Sequence, residues 1–140
     1  MKIKKMYGVN VPISCPMTSE QEVDYESLES LCEYLIKKKV DGLYPNGSTG
    51  EMCYLTLEER KKVLECCVKT AAGRVQVFSM VGALTTRNTI ELARHAEKCG
   101  ADGIGVVTPY YFKLDQRELE EYFVSVAQSV SPDFPIYLYG

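Results

Sequence analysis

The chain has 140 residues, of which 46% are hydrophobic and 25% charged, values that are typical of one globular domain. Its formal net charge is −3, and its longest basic run is Lys37-Lys38-Lys39. This charge distribution excludes an electrostatic footprint for nucleic acid or an anionic membrane, so small molecules or other proteins are the expected partners.

The N-terminal segment contains Lys2, Lys4 and Lys5 but no sustained apolar run. Asn10 and Pro12 interrupt the stretch that follows, so the sequence predicts neither a signal peptide nor a membrane span. We therefore expect a cytoplasmic protein.

Cysteine is abundant, but its spacing is not typical of a disulfide framework or a metal site. No two cysteines form a C-x-x-C pair, and His95 is the only histidine. The sequence therefore predicts reduced, mostly packed thiols, with no metal and no cofactor. The cysteines are Cys15, Cys32, Cys53, Cys66, Cys67 and Cys99.

Short apolar runs alternate with longer amphipathic ones, which predicts a βαβα order along the whole chain. A first strand is expected at residues 8–12 and a first helix at residues 24–39. In this helix, apolar side chains recur at three- and four-residue steps: Leu28, Leu31, Cys32, Leu35 and Ile36.

The second strand contains Leu43 and Tyr44 and is expected to end at Pro45. The second helix is expected to start at Thr56, whose hydroxyl forms a capping-box signature with Glu59, and to end near residue 70.

The second half of the chain continues the same alternation. Strands are expected at residues 75–80, 104–107 and 136–139, and a third helix at residues 86–99 that Gly100 ends in a left-handed conformation. Asp115 and Glu118 are expected to open the fourth helix.

Parallel strands joined by helices can close as an open doubly wound sheet or as an eight-stranded barrel. Residues 37–44 and 97–106 both pass from a helix end through a small residue, Asp and Gly into an apolar strand, which is a modest internal repeat. In both closures ligands bind at the carboxyl ends of the strands, so the loops after the strands are the candidate functional segments.

The loop after the second strand reads NGSTGE, residues 46–51. Gly47 and Gly50 allow consecutive backbone N–H groups to face a ligand, and Ser48 and Thr49 add hydroxyls. Such a loop suits an anion as small as a carboxylate or one phosphate, although no lysine follows as in a Walker motif. A glycine-rich turn that only connects a strand to a helix is the alternative interpretation.

Tyrosines cluster after the fourth and in the fifth strand. Tyr110 and Tyr111 follow the fourth strand, and Tyr137 and Tyr139 lie on one side of the fifth. Their phenols could transfer protons or could be packing residues whose hydroxyls reach solvent. No Ser-His-Asp set accompanies these hydroxyls, so the carboxyl ends of the strands lack an activated nucleophile.

Three segments in this order and spacing, DGLYPNGSTGE, VTPYYFK and PIYLYG, resemble the N-acetylneuraminate lyase and dihydrodipicolinate synthase family. The resemblance implies a (β/α)8 barrel, of which residues 1–140 supply about the first five strands and four helices as an incomplete part of one domain. It also implies a lysine that forms a Schiff base with pyruvate, followed by making or breaking of an aldol bond with an aldehyde or amino sugar.

The family also implies roles for individual residues. Ser48 and Thr49 would bind the pyruvate carboxylate, and Ser48, Tyr139 and Tyr111 would form a proton relay in which Tyr111 comes from a neighbouring subunit. The complete protein would therefore be a homo-oligomer, a homotetramer built as a dimer of dimers.

The family's Schiff-base lysine lies on a sixth strand, which this chain does not contain. None of its own lysines is expected on a strand with apolar neighbours that would lower its pKa, so the segment alone is expected to be inactive.

The sequence departs from the family pattern at two places. Gly140 stands where the family usually has asparagine, which weakens any inference about that loop. Residues 112–114 lack the asparagine and proline of the synthase branch, and together with the DGLY and GSTGE segments they resemble the N-acetylneuraminate lyase branch. The sequence therefore favours an N-acetylneuraminate lyase-like enzyme. A synthase-like enzyme of lysine biosynthesis, a phosphate-binding sugar-phosphate aldolase barrel and a non-catalytic half-barrel module remain alternatives.

Overall fold

The computed structural model describes residues 5–140, so Lys2 and Lys4 lie outside the described part of the chain. Residues 5–140 form five strands and four α-helices in alternation, plus one short 3-10 turn. The strands are β1 (Asn10–Pro12), β2 (Gly42–Tyr44), β3 (Gln76–Met80), β4 (Gly103–Val107) and β5 (Ile136–Tyr139). The helices are α1 (Tyr25–Lys37), α2 (Leu57–Ala71), α3 (Thr86–Cys99) and α4 (Gln116–Ala127), and the 3-10 turn is Met52–Tyr54.

The five strands form one sheet in the order β1-β2-β3-β4-β5, and each neighbouring pair is parallel. A doubly wound sheet reverses its strand order at a switch point, whereas a barrel adds each strand next to the preceding one. The sequential order therefore indicates the first part of a (β/α)8 barrel rather than an open doubly wound sheet.

The two faces of the sheet have different environments because successive side chains of a strand alternate in direction. On one face Leu43, Val77 and Ile104 pack into the hydrophobic core that the helices cover. The opposite, inner face contains Phe78 and Tyr137, whose rings meet edge to face at 5.6 Å. The inner face is the one that a complete barrel would enclose.

The helix termini follow the capping signals in the sequence. Thr56 and Asp115 both cap through complete capping boxes, in which the carboxylates of Glu59 and Glu118 accept a hydrogen bond from the backbone N–H of the cap residue. Gly100 ends α3 at φ 90°, as its position after the last helical residue predicts. Among residues 5–140, no helix combines the length and the apolar character needed to cross a membrane.

Most element boundaries lie within one residue of the expected ones, and two differ by two residues for a local reason. The first strand begins at Asn10 rather than at residue 8, because Gly8 has a left-handed φ of 66° that does not fit a strand. The first helix ends at Lys37, and Lys39 also has a positive φ, 63°, which ends the helix two residues early. The bounds of α3 and β5 match the expected ones.

Candidate active site at the carboxyl ends of the strands

The loop after β2, residues 46–51, is called the donor loop because some of its backbone N–H groups face solvent without an acceptor. Gly50 N–H donates to the Gly47 carbonyl at 3.1 Å, which folds residues 47–50 into a tight turn. Within residues 5–140, the backbone N–H groups of Ser48 and Thr49 find no acceptor, and both residues are exposed. Two free N–H groups therefore lie beside two hydroxyls. The residues of this loop with a positive φ are Asn46 and Glu51 rather than Gly47 and Gly50, and the binding of an anion here stays a prediction.

Gly50 lies close to the end of β1. A Cβ atom at Gly50 would lie 3.1 Å from the carbonyl oxygen of Ile13, the residue that follows β1. That oxygen belongs to the backbone, so a Cβ atom at position 50 would make a contact that only a small shift of the loop or of the end of β1 could relieve. The glycine thus lets the donor loop lie against the carboxyl edge of the sheet.

The base of the donor loop is anchored by a buried asparagine and a buried arginine. Asn46 Nδ2 donates to the Arg60 carbonyl at 2.9 Å and to Ser79 Oγ at 3.2 Å. The Arg60 guanidinium donates to the carbonyls of Gly82, at 3.0 Å, and Met80, at 2.9 Å. The first turn of α2 therefore ties the loop after β2 to the loop after β3.

Arg60 places a positive charge behind these loops. The residue is only 3% exposed, and among the described residues it forms no ion pair with a carboxylate. Burial lowers the pKa of its guanidinium, and the neighbouring Tyr110 acts in the opposite direction. A cation without a paired carboxylate in this region favours the binding of anions nearby.

Tyr44, which the sequence pattern predicts only as a strand residue, lies on the inner face near Tyr139. Its hydroxyl occupies the space beside Gly105, where a Cβ atom would come within 1.7 Å of Tyr44 Oη. Burial, and then the nearby Tyr139 phenol, raise the pKa of Tyr44 to about 12. The signal for this contact is the pair of glycines within β4, Gly103 and Gly105, because glycine inside a strand marks a close approach.

The loop after β4 reaches the donor loop through Tyr110. Partial burial raises the pKa of Tyr110, and the hydrogen-bonded Cys53 thiol raises it further. Cys53 belongs to the 3-10 turn that follows the donor loop. The loops after β2 and β4 therefore meet at the same edge of the sheet.

Tyr111 and Phe112 project from this loop into solvent, 78% and 74% exposed, with their rings 4.9 Å apart. They border a groove of about 570 Å³ between α3 and α4, together with Leu84, Leu114 and Tyr122. Within the described residues of this single chain, Tyr111 contacts neither the donor loop nor Tyr139. The meeting of Tyr111 with Ser48 and Tyr139 stays a prediction.

The described lysines all lie outside the strands. They occupy the helices, the segments that follow them, the loop at Lys113 and position 5. Within residues 5–140 there is also no cluster of three or more His, Cys, Asp or Glu side chains that could hold a metal ion. The carboxyl edge of the sheet thus carries hydroxyls and backbone donors, and no described strand carries a lysine amine.

Residues 5–140 match the profile of the dihydrodipicolinate synthetase family. The chain belongs to this family. A relative from Aquifex aeolicus, 4-hydroxy-tetrahydrodipicolinate synthase, is 47% identical over 121 residues, which are 86% of this chain and 40% of the relative. The chain therefore spans less than half the length of this relative.

Solved structures of the family confirm the fold. The crystal structure of dihydrodipicolinate synthase from Aquifex aeolicus superposes with a TM-score of 0.91 at 43% identity, covering 96% of this chain and 45% of that one. A prophage protein of the family from E. coli K12, solved in complex with pyruvate, has a TM-score of 0.90 at 40% identity, covering 95% and 44%. The matched shares show that the chain folds as the N-terminal part of the family's (β/α)8 barrel.

The comparisons favour the synthase branch over the lyase branch that the sequence analysis prefers. N-acetylneuraminate lyase from Mycoplasma synoviae has a TM-score of 0.90 but only 30% identity, covering 95% of this chain and 46% of that one. The preference for the lyase rests on residues 112–114 together with the DGLY and GSTGE segments. Residues 112–114 lie in an exposed loop, and loop residues vary more than the elements they join. Identity over the whole chain is the stronger indicator of branch.

Proposed function

We propose that the protein to which this chain belongs is a pyruvate-dependent class I aldolase of the 4-hydroxy-tetrahydrodipicolinate synthase type. It joins the enolic carbon of a pyruvate imine to an aldehyde. The observation that carries this proposal is the exposed donor loop at the carboxyl edge of the sheet, with free N–H groups at Ser48 and Thr49. The relatives that bear the synthase name and the family structure solved with pyruvate support it.

In this proposal the donor loop binds the pyruvate carboxylate. Hydrogen bonds to a charged acceptor contribute about 1.5–3 kcal/mol each, so two N–H groups and two hydroxyls are enough to orient a small keto acid. The buried charge of Arg60 adds a favourable field without contacting the ligand. The ketone carbon then faces the inner side of the barrel.

The proposed proton relay consists of Ser48, Tyr139 and Tyr111. Formation of the imine expels water, and the aldol step moves a further proton, so a phenol that donates and recovers a proton serves both steps. Tyr139 lies on the inner face with Tyr44 beside it. We propose Tyr44 as a neutral hydrogen-bond donor that keeps the Tyr139 oxygen in place, because a phenol with a raised pKa stays protonated at neutral pH.

Tyr111 would act in the active site of a second subunit. Its side chain is 78% exposed, so its phenol is accessible to a second subunit. The complete protein is accordingly proposed to be a homo-oligomer, a dimer of dimers. A cytoplasmic location fits the cysteines of the described chain, which are all free thiols.

The Schiff-base lysine is proposed to lie on a later strand of the same barrel domain, of which residues 1–140 are an incomplete part. A lysine that forms an imine at neutral pH needs apolar neighbours that lower its pKa. The chain by itself is therefore proposed to bind pyruvate weakly without reacting with it.

Reduction with borohydride tests the reaction. In the longest natural form of the protein, borohydride with pyruvate should attach the reduced three-carbon unit to one lysine, as peptide mass spectrometry would show. The 140-residue chain treated in parallel should show no adduct. An unmodified long form would contradict the proposal, and a lysine adduct in the short chain would contradict the placement of the lysine.

The donor loop is tested separately. In the longest natural form of the protein, replacing Ser48 by Ala and Thr49 by Val should raise the KM for pyruvate about tenfold each, because each change removes one hydrogen bond to a charged group. Ser19→Ala, an exposed serine before α1, is the matched control and should leave KM unchanged. Equal KM values in all three variants would exclude the loop as the carboxylate site.

An N-acetylneuraminate lyase-like activity is the second candidate, and residues 112–114 favour it. The structure of CdNal from Clostridium difficile, solved in complex with mannosamine, superposes with a TM-score of 0.93 at 29% identity, covering 97% of this chain and 47% of that one. Supplying pyruvate with a short amino-acid-derived aldehyde or with an amino sugar separates the two. Faster turnover of the amino sugar would favour the lyase.

A further inference from the structure

Two buried thiols meet between the first two helices, away from the inner face of the sheet. Cys32 on α1 and Cys67 on α2 are both 0% exposed, and their Sγ atoms lie 3.8 Å apart. They are separated by 35 residues in sequence. The pair therefore links two elements that only tertiary packing brings together.

The neighbouring cysteines have other partners or lie elsewhere. Cys66, half-buried, has its Sγ 3.8 Å from the carbonyl of Tyr25. Cys53 is exposed in the 3-10 turn. The direct sulfur contact between Cys32 and Cys67 therefore distinguishes this pair from the other thiols.

The two thiols of the pair are not equivalent. The pKa of Cys32 is lowered because the Cys67 thiol hydrogen-bonds to its thiolate, an effect that exceeds the opposing effects of burial, Glu33 and Glu29. The pKa of Cys67 is raised by the same contact and by burial. Cys32 is therefore the better nucleophile of the two.

We propose that Cys32 and Cys67 form a reversible oxidation site whose oxidant is a small peroxide. The Cys32 thiolate attacks one peroxide oxygen, which gives a sulfenic acid and, with hydrogen peroxide, one water after protonation. Cys67 sulfur then displaces the hydroxyl of the sulfenic acid as a second water and forms the disulfide. Two thiols lose two electrons, which reduce one peroxide, and a dithiol reductant reverses the change.

The geometry favours this pair over any other. A disulfide requires an S–S distance of about 2.05 Å, so the two sulfurs, which are 3.8 Å apart, must approach by less than 2 Å. The burial of both thiols excludes large oxidants but admits a molecule the size of peroxide during local opening. The inference does not depend on the proposed aldolase activity, because neither thiol belongs to the candidate active site.

Mass mapping after mild peroxide treatment tests the proposal on the chain itself. Trypsin leaves Cys15 and Cys32 together in residues 6–37, and Cys66 and Cys67 together in residues 63–69. The treated protein should yield these two peptides joined, with a loss of two hydrogens, and dithiothreitol should separate them. Fluorescent labelling of Cys53 beforehand prevents its participation.

Serine variants assign the bond. The joined peptide should disappear in Cys32→Ser and in Cys67→Ser, and it should persist in the matched controls Cys15→Ser and Cys66→Ser. Circular dichroism checks that each variant folds, and Cys32→Ala and Cys67→Ala replace any serine variant that does not. The proposal would be overturned if the joined peptide persisted in a serine or alanine variant at position 32 or 67. It would also be overturned if the joined peptide formed only under denaturing conditions.

The bond should also stabilise the fold. Closing a loop between positions 32 and 67 restricts the unfolded chain, so the melting temperature of the oxidised protein should rise by roughly 10 °C over that of the reduced protein. The Cys32→Ala variant after the same treatment should show no rise. An oxidised wild type with a lower melting temperature would contradict a native-like bond.

Discussion

At the scale of single residues, the inner face depends on glycines that leave room for aromatic rings. Gly105 in β4 has no side chain, and the hydroxyl of Tyr44 fills that space. The sequence predicts Tyr137 and Tyr139 on one side of β5 from alternation alone, and the edge-to-face contact of Tyr137 with Phe78 identifies that side as the inner face. The two glycines of β4 signal a close approach, but they do not identify Tyr44 as the partner, because the contact joins strands that are not neighbours.

Gly105→Ala should destabilise the chain by about 1–3 kcal/mol, because the new methyl group would collide with the Tyr44 hydroxyl and force the ring to move. Urea denaturation measures the change. Gly47→Ala is the control, since its nearest neighbour atoms would lie 3.8 Å away in ordinary contact. The cost at position 105 should shrink in a Tyr44→Phe background, and an unchanged cost would rule out this collision as its cause.

Tyr44 should make the stability depend on alkaline pH. Burial and Tyr139 raise its pKa from 10.0 to about 12 in the folded chain, so the folded state holds this proton more tightly than the unfolded state. The contribution is complete below pH 10 and is lost as pH rises through 12. Phenolate absorbance should show one tyrosine that titrates last, and Tyr44→Phe should remove it; a titration curve identical in the variant would contradict the assignment.

At the scale of elements, the helices were predictable where local signals define their ends. Two capping boxes and Gly100 are encoded within a few residues, and the structure confirms all three. The 3-10 turn and the role of Arg60 were not predictable in this way. Within a charged run, LEERKK, Arg60 resembles any residue of a solvated helix face, and only the packing of α2 against the end of β3 buries it.

Arg60→Met should lower the free energy of unfolding by about 2–4 kcal/mol, because the buried carbonyls of Met80 and Gly82 lose their donors. Arg117→Met is the matched control: its side chain is 87% exposed and pairs with Glu121 one turn away, so the cost should stay below about 0.5 kcal/mol. Denaturation curves compare the two. Equal costs would show that the buried hydrogen bonds of Arg60 contribute nothing measurable.

At the scale of the whole molecule, strand order was the property that sequence alone left open. Both a doubly wound sheet and a barrel fit alternating strands and helices, and the sequential order β1 to β5 distinguishes them only in three dimensions. The chain matches relatives over less than half of their length, so the strand that would follow β5 in a barrel is not part of the described residues.

The edge formed by β5 should make the isolated 140-residue chain associate with itself. Leu138 and Tyr139 are 65% and 61% exposed on this strand, and an edge with free backbone groups and apolar side chains is a template for pairing with another chain. Sedimentation velocity over a range of concentrations should show dimers or larger species. The pairing of two half barrels at their edges would shield both inner faces at once.

Leu138→Glu should shift the chain toward monomer, because a carboxylate at the edge must be desolvated when strands pair. Tyr54→Glu provides the matched control: Tyr54 is 83% exposed in the 3-10 turn, so its replacement removes as large an apolar side chain without touching the edge. A monomeric wild type would contradict pairing at β5. If instead both variants dissociate equally, association depends on general surface hydrophobicity rather than on the edge of the sheet.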